Sequence, residues 1–196
     1  GEPCRQKRAF VMYKILLIFF LLNLYNAAFS SPKEKIISRM ELINNMSFNF
    51  VQTIGDKREI GKCTIKYPKK LYCEYDNIKK KIIVSNGKSL VVNNRTNGSY
   101  YVYPLKKTAL EFLLDKDFLI SKIFSLKPIL IEDKYLNFKI FENDIEINIF
   151  FDQKNFDLIG WQTEDVYQNL IITFISSVKI NQKINEKNFI LPENKW

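Results

Sequence analysis

The 196-residue chain contains no histidine. With histidine go the commonest general base at neutral pH and the commonest metal ligand, which removes imidazole-based hydrolase triads and zinc sites. Cysteine is scarce too, at Cys4, Cys63 and Cys73. None has a histidine to activate it as a nucleophile, and their spacing suits no metal. Phosphate loops and nucleophile elbows are missing. The adjacent carboxylates Glu132-Asp133 and Glu164-Asp165 would point to opposite faces of a strand and cannot share a proton, while Asp115 and Asp117 sit at a helix end where charge is solvated. These absences describe a protein without catalytic residues, cofactor or metal. Glycine and proline number six each, and no linker or repeat divides the chain.

Long apolar runs are absent as well. The longest, Ile15 to Leu24, falls short of the roughly 20 residues that span a bilayer. It follows Met12 and Lys14 and precedes Ala28-Phe29-Ser30, so residues 12–30 read as a secretory signal peptide. Residues 1–11, with Cys4, read as an upstream extension, and residues 31–196 as one domain.

What the chain does have is aromatic and basic residues: sixteen Phe, ten Tyr and a formal charge of +9. Such a chain can bury a core. Its basic excess suits nucleic acid, anionic headgroups, an acidic partner or simply a solvated lysine surface.

The organising stretch is residues 48–105, where apolar and polar residues alternate with period two and so form one row on each face of a sheet. The apolar row begins with Phe48 and Phe50. It continues through Cys63, Ile65 and Tyr67, then Leu71, Cys73 and Tyr75, and ends with Leu90 and Val92, then Tyr101 and Tyr103. Breaks fall at Gly55-Asp56, Tyr67-Pro68-Lys69-Lys70, Asp76-Asn77, Asn86-Gly87 and Asn97-Gly98. Asn-Gly predicts type I′ hairpin turns. The result is an antiparallel meander with an apolar, aromatic concave face. Cys63 and Cys73 share parity on consecutive strands, so in an exported protein they are candidates for a cross-strand disulfide.

Helices flank the meander. Ser31-Pro32-Lys33-Glu34 is a capping box opening a helix expected to end near Asn44-Asn45, with Ile36, Met40, Ile43 and Met46 as its apolar stripe. Thr108-Ala109-Leu110-Glu111 is a second, opening a short helix with Leu110, Leu113 and Leu114 on one side and Phe112 off it. The apolar run through Phe118 that follows either plugs a hollow or is an ordinary core helix. Strands return from Tyr135, about five of them, and residues 188–192 close the chain as the last. The lysine pairs and triplet, Lys69-Lys70, Lys106-Lys107 and Lys79-Lys80-Lys81, fall in turns, away from the aromatic row, which argues against a nucleic-acid face. The predicted fold is mainly β with helices, a curved antiparallel sheet with an apolar concave side and a helical insert to cover it, suited to an apolar ligand.

At Phe48-x-Phe50-x-Gln52-Thr53-Ile54, Gly61, Lys66-x-Pro68, Ile83-Val84-Ser85-Asn86-Gly87-Lys88-Ser89-Leu90 and Tyr103-x-Leu105 the sequence resembles the periplasmic outer-membrane lipoprotein carriers, the LolA-like family. Phe151-Asp152, Leu158, Gly160-Trp161 and Phe189-x-Leu191-Pro192 fit its second half. The resemblance implies a half-barrel whose cavity holds lipoprotein acyl chains, with Leu110, Leu113, Leu114 and Phe118 in the lid. It also implies a monomer in the periplasm of a Gram-negative bacterium, taking cargo from an inner-membrane ABC exporter to an outer-membrane receptor. A lipid- or lipoprotein-sensing regulatory domain is the alternative on this fold. The family's Arg before the proline, which latches the lid, is replaced by Tyr67, with one donor where guanidinium has five. Cys63 and Cys73 stand where the family places larger apolar residues.

Overall fold

A computed structural model describes residues 30–165 and 167–193. The predicted extension (1–11) and, apart from Ser30, the predicted signal peptide (12–30) lie outside the described residues.

Helix α1 (Pro32–Glu41) begins on its proline and buries Ile36 and Met40 one turn apart. It stops short of the expected Asn44-Asn45 because a distant side chain intervenes. The Asn181 amide donates to the Leu42 carbonyl at 2.7 Å and accepts from the Asn44 N–H at 2.8 Å. Strand β1 (Asn45–Ile54) starts there, so Met46, expected on the helix stripe, is a buried strand residue.

Strands β2 (Lys57–Lys66), β3 (Lys70–Tyr75), β4 (Lys81–Asn86), β5 (Ser89–Asn94) and β6 (Tyr100–Pro104) complete the first meander. A 3-10 turn (Leu105–Lys107), helix α2 (Leu110–Leu113) and helix α3 (Lys116–Ser125) follow. The second meander is β7 (Ile129–Ile131), β8 (Tyr135–Glu142), β9 (Ile145–Asp152), β10 (Leu158–Glu164) and β11 (Leu170–Ile180). All eleven strands form one antiparallel sheet in the order β6-β5-β4-β3-β2-β1-β11-β10-β9-β8-β7. The edges β6 and β7 do not pair, so the sheet curls into an open half-barrel.

The turn at Asn86-Gly87 departs from type I′. Only Gly87 has positive φ, at 96°. Asn86 stays in β4 and its side-chain oxygen accepts from the N–H groups of Lys88 and Ser89, both at 3.0 Å. Glycine thus takes the first central position of a two-residue turn, and the asparagine acts as an Asx acceptor.

Strands β4 and β5 are buried on both faces, since Ile82, Val84 and Val91 are covered as well as the inward Leu90. The chain end provides the cover. Instead of a strand it forms a 3-10 turn (Glu186–Phe189) that lies over β3 and β4 with Phe189 buried. Lys66 pairs with Glu186, and the Tyr100 hydroxyl donates to the Pro192 carbonyl at 2.9 Å.

The concave side is filled unequally. Ile36 and Met40 of α1 and Leu119 and Ile123 of α3 pack against Phe138, Ile140, Ile147 and Ile149, so α3 is a core helix of the second half. Among the described residues the first half receives no such pair of helices. There Phe50 and Tyr75 meet edge to face at 4.9 Å over Gly61. A Cβ on Gly61 would lie 2.2 Å from the Glu74 carbonyl and 2.8 Å from the Phe50 ring. Backbone on one side and an aromatic ring on the other leave no easy escape. Gly61→Ala is therefore expected to cost about 1–3 kcal/mol, as overpacking does, read as a lower urea midpoint at unchanged slope.

Candidate functional site

Between the first meander and the 3-10 turn with α2 lies a cavity of about 600 Å³. It runs the length of the half-barrel, from Met46 and Tyr67 at one end to Lys81, Asp165 and Tyr167 at the other. The alternation places its walls. Phe48 and Phe50 come from β1, Ile65 from β2, Leu71 and Tyr75 from β3, and Leu90 and Val92 from β5; Tyr67, on the β2–β3 turn, and Tyr103 of β6 also reach it.

Tyr101 does not line it. It pairs with Val92 as the parity requires, but β6 is a sheet edge, and the ring is 52 % exposed. Cys63 and Cys73 face each other in register, with Cα atoms 4.1 Å apart, and their disulfide forms part of the wall.

The second meander contributes residues that the reading of 48–105 could not include. Trp161 meets Phe48 edge to face at 6.0 Å, and Leu158, Ile149 and Phe151 stand beside it. The period-two rule applied to β9 finds Ile149 and Phe151, but Leu158 and Trp161 of β10 are three residues apart, and only the register shift between Leu158 and Gly160 brings both to this face. A polar chain crosses this apolar wall. The Tyr75 hydroxyl donates to the Gln52 oxygen at 3.0 Å, and the Gln52 amide donates to the Thr173 hydroxyl at 3.1 Å. Burial raises the Tyr75 pKa well above the usual phenol value, so the hydroxyl stays neutral. Gln52 and Thr173 are 121 residues apart, which no local pattern reveals.

The lid is the segment 105–114. Leu110, Leu113 and Leu114 line the cavity, and Leu105 and Leu114 are almost fully buried. Phe112, expected off the apolar side, is buried too, against α3 through Phe118 with ring centroids 5.0 Å apart. Phe118 is therefore not a lid residue. Asp115 caps a new helix by accepting from the Phe118 N–H at 3.1 Å, and of α3 it is Lys116 and Leu119, not Phe118, that reach the cavity. Thr108 is no cap either; its hydroxyl donates to the Leu105 carbonyl at 2.8 Å, and Ala109 holds the N-cap position without a side-chain bond.

Three contacts from Lys69 hold the lid closed. Its N–H donates to the Leu114 carbonyl at 2.7 Å, and its ammonium lies 2.5 Å from Glu111 and 3.5 Å from Asp115. The Glu111 hydrogen bond is the main cause that lifts the Lys69 pKa above its ordinary 10.5. Tyr67 plays no such part. Its hydroxyl contacts the Met46 sulfur at 3.9 Å, and burial pushes its pKa up to about 12. Lys116 ties the far end of the lid to the α1–β1 junction by donating to the Ile43 carbonyl at 2.8 Å.

Among the described residues no cluster of three or more His, Cys, Asp or Glu could hold a metal, and no helix is long and apolar enough to cross a membrane. The arrangement can enclose an apolar ligand beneath the segment 105–114.

Three solved structures are similar in fold. An uncharacterised conserved protein of Thermus thermophilus is 6% identical, with 84% of this chain and 96% of that one covered, at a TM-score of 0.49. A LolA superfamily protein of Nitrosomonas europaea is 10% identical, covering 81% and 97%, at 0.41. The MucA/MucB complex of Pseudomonas aeruginosa gives 8%, 82% and 61%, at 0.45. Among curated proteins none matches. The family described as outer membrane lipoprotein carrier protein LolA matches residues 41–191, and the chain belongs to it.

Proposed function

We propose that this protein is a periplasmic carrier in a Gram-negative bacterium. It holds the acyl chains of lipoproteins in the cavity and passes them, as a monomer, from an inner-membrane ABC exporter to an outer-membrane receptor. One observation carries the reading: an elongated apolar hollow of about 600 Å³ beneath a lid that this chain latches itself. In this role Phe48, Phe50, Ile65, Leu71 and Leu90 contact the chains, and Leu110, Leu113 and Leu114 cover them.

The energetics suit carriage without chemistry. Burial of each methylene is worth about 0.8 kcal/mol, so a sixteen-carbon chain gains at most roughly 12 kcal/mol. Ligand and lid leucines compete for the same wall, which lowers the net affinity to a value from which a receptor can withdraw cargo.

Incubation with spheroplasts tests the role. The exported protein is expected to release acylated lipoproteins into the supernatant as a one-to-one complex; if the lipoproteins stay with the membranes, the carrier reading fails.

Lys69→Ala or Glu111→Gln is expected to speed dissociation of a bound fluorescent fatty acid about threefold to fivefold, the scale of one partly exposed ion pair. Tyr67→Phe is expected to leave that rate unchanged. Stopped-flow displacement measures all three.

The pH dependence has a definite sign. The folded-state pKa of Lys69 is raised, so its contribution is complete below the unfolded value and is lost as pH rises through the folded one. Ligand release is expected to vary little between about pH 7 and 9 and to accelerate only above the ordinary lysine value of 10.5.

A further inference from the structure

One end of the cavity carries a feature that holding acyl chains does not require. Strand β3 leaves the wall at Tyr75 and β4 re-enters it at Lys81. The loop between them holds Ile78 at 93 % exposure, the most exposed large apolar side chain among the described residues. The loop is braced in that position. The Thr96 hydroxyl donates to the Ile78 carbonyl at 2.9 Å, and the Thr96 N–H donates to the Lys79 carbonyl at 3.3 Å. Asn77 bonds Glu59 at 3.3 Å and receives the Lys81 N–H at 3.2 Å. Every one of these bonds fixes the backbone or a polar neighbour, and none shelters the isoleucine.

Charge surrounds this tip. Lys79 and Lys80 follow it, and both are exposed. Lys57 and Arg58 open β2 at the same end of the barrel and are also exposed. Lys81 is already paired with Glu59 at 2.5 Å, and Asp56 and Asp76 are the exposed acids among these turns. An apolar point ringed by lysines fits the boundary between headgroups and acyl chains in an anionic membrane, where the point enters the hydrocarbon and the cations stay with phosphate. An acidic protein surface would satisfy the lysines but leave the isoleucine in water.

The geometry points to direct docking of this end on an anionic lipid surface, with Ile78 inserted and Lys79 and Lys80 on the phosphates, so that the cavity opens toward the bilayer. In such a pose an acyl chain could pass between the membrane and the wall beside Tyr75 without crossing water. The surface is independent of the cavity's occupant, so docking and carriage stand or fall separately.

The test is co-sedimentation of the exported protein with vesicles of phosphatidylethanolamine and phosphatidylglycerol, against vesicles of phosphatidylcholine. Binding is expected to the anionic vesicles only, and to weaken as salt is raised. Ile78→Ser is expected to lower affinity about tenfold or more, and Lys79→Ser with Lys80→Asn about fivefold per charge. Leu42→Ser is the control. Leu42 is 69 % exposed but sits where β1 begins, at the opposite end, and its loss should change nothing. Binding by Ile78→Ser equal to the parent, equal loss in Leu42→Ser, or binding to an acidic protein but not to vesicles overturns docking. Each variant is checked for unchanged fatty-acid binding in solution, which separates loss of docking from loss of the cavity.

Discussion

The structure depends on one asymmetry: a curled sheet has two inward halves, and among the described residues helices fill only one of them. Helices α1 and α3 bury Ile36, Leu119 and Ile123 against β8 and β9, and that half is an ordinary core. Across β1 to β6 the inward rows meet the leucines of a short lid and, beside Phe48, Trp161 and Leu158. Aromatic and aliphatic side chains there cannot collapse onto each other, because backbone hydrogen bonds between strands hold the wall rigid. Water in such a hollow gains few partners, so its apolar lining is left with unmet contacts that a ligand can supply.

The disulfide and Gly61 serve that rigidity in different ways. Joining Cys63 to Cys73 across β2 and β3 puts compact sulfur where a large apolar side chain would fill space, and it pins the register of the strands in the wall. Gly61 lets the Phe50 ring lie against the β2 backbone. The polar chain Tyr75–Gln52–Thr173 then fastens β3 to β1 and β1 to β11 inside an apolar surface, with donors and acceptors matched to one another.

How far this was legible depends on the range of the interaction. Alternation is local, so the strands, the wall of Phe48, Ile65 and Leu71, and the facing cysteines could all be read from neighbouring residues. Tyr101 obeyed the same rule and still reached solvent, because parity says which way a side chain points and not whether anything stands opposite. Consecutive apolar residues at Ile82-Ile83-Val84 and Leu90-Val91-Val92 carried a legible sign that both faces are covered, though not that the chain end is the cover. The end of α1 is set by Asn181, 139 residues from its partner Leu42, and the latch joins Lys69 to Glu111 across 42 residues. Neither leaves a trace in local pattern. The resemblance directed attention to the residue before the proline, whereas the cation that holds this lid stands after it.

The placement of that cation bears on how cargo could move in one direction. Lys69 and both of its carboxylate partners are partly exposed, and ion pairs in such settings contribute about 1 kcal/mol or less. A single acyl chain gains several times that on burial. The latch therefore cannot hold the cavity shut against cargo, and it cannot expel cargo either. What it can change is the barrier, since opening breaks the pair before a ligand replaces any contact, while the lid leucines end buried against either wall or ligand. In the proposed role, direction must then come from the two ends of the route, from ATP-driven loading and from a receptor with better acyl contacts, while the carrier sets only how fast its cover moves.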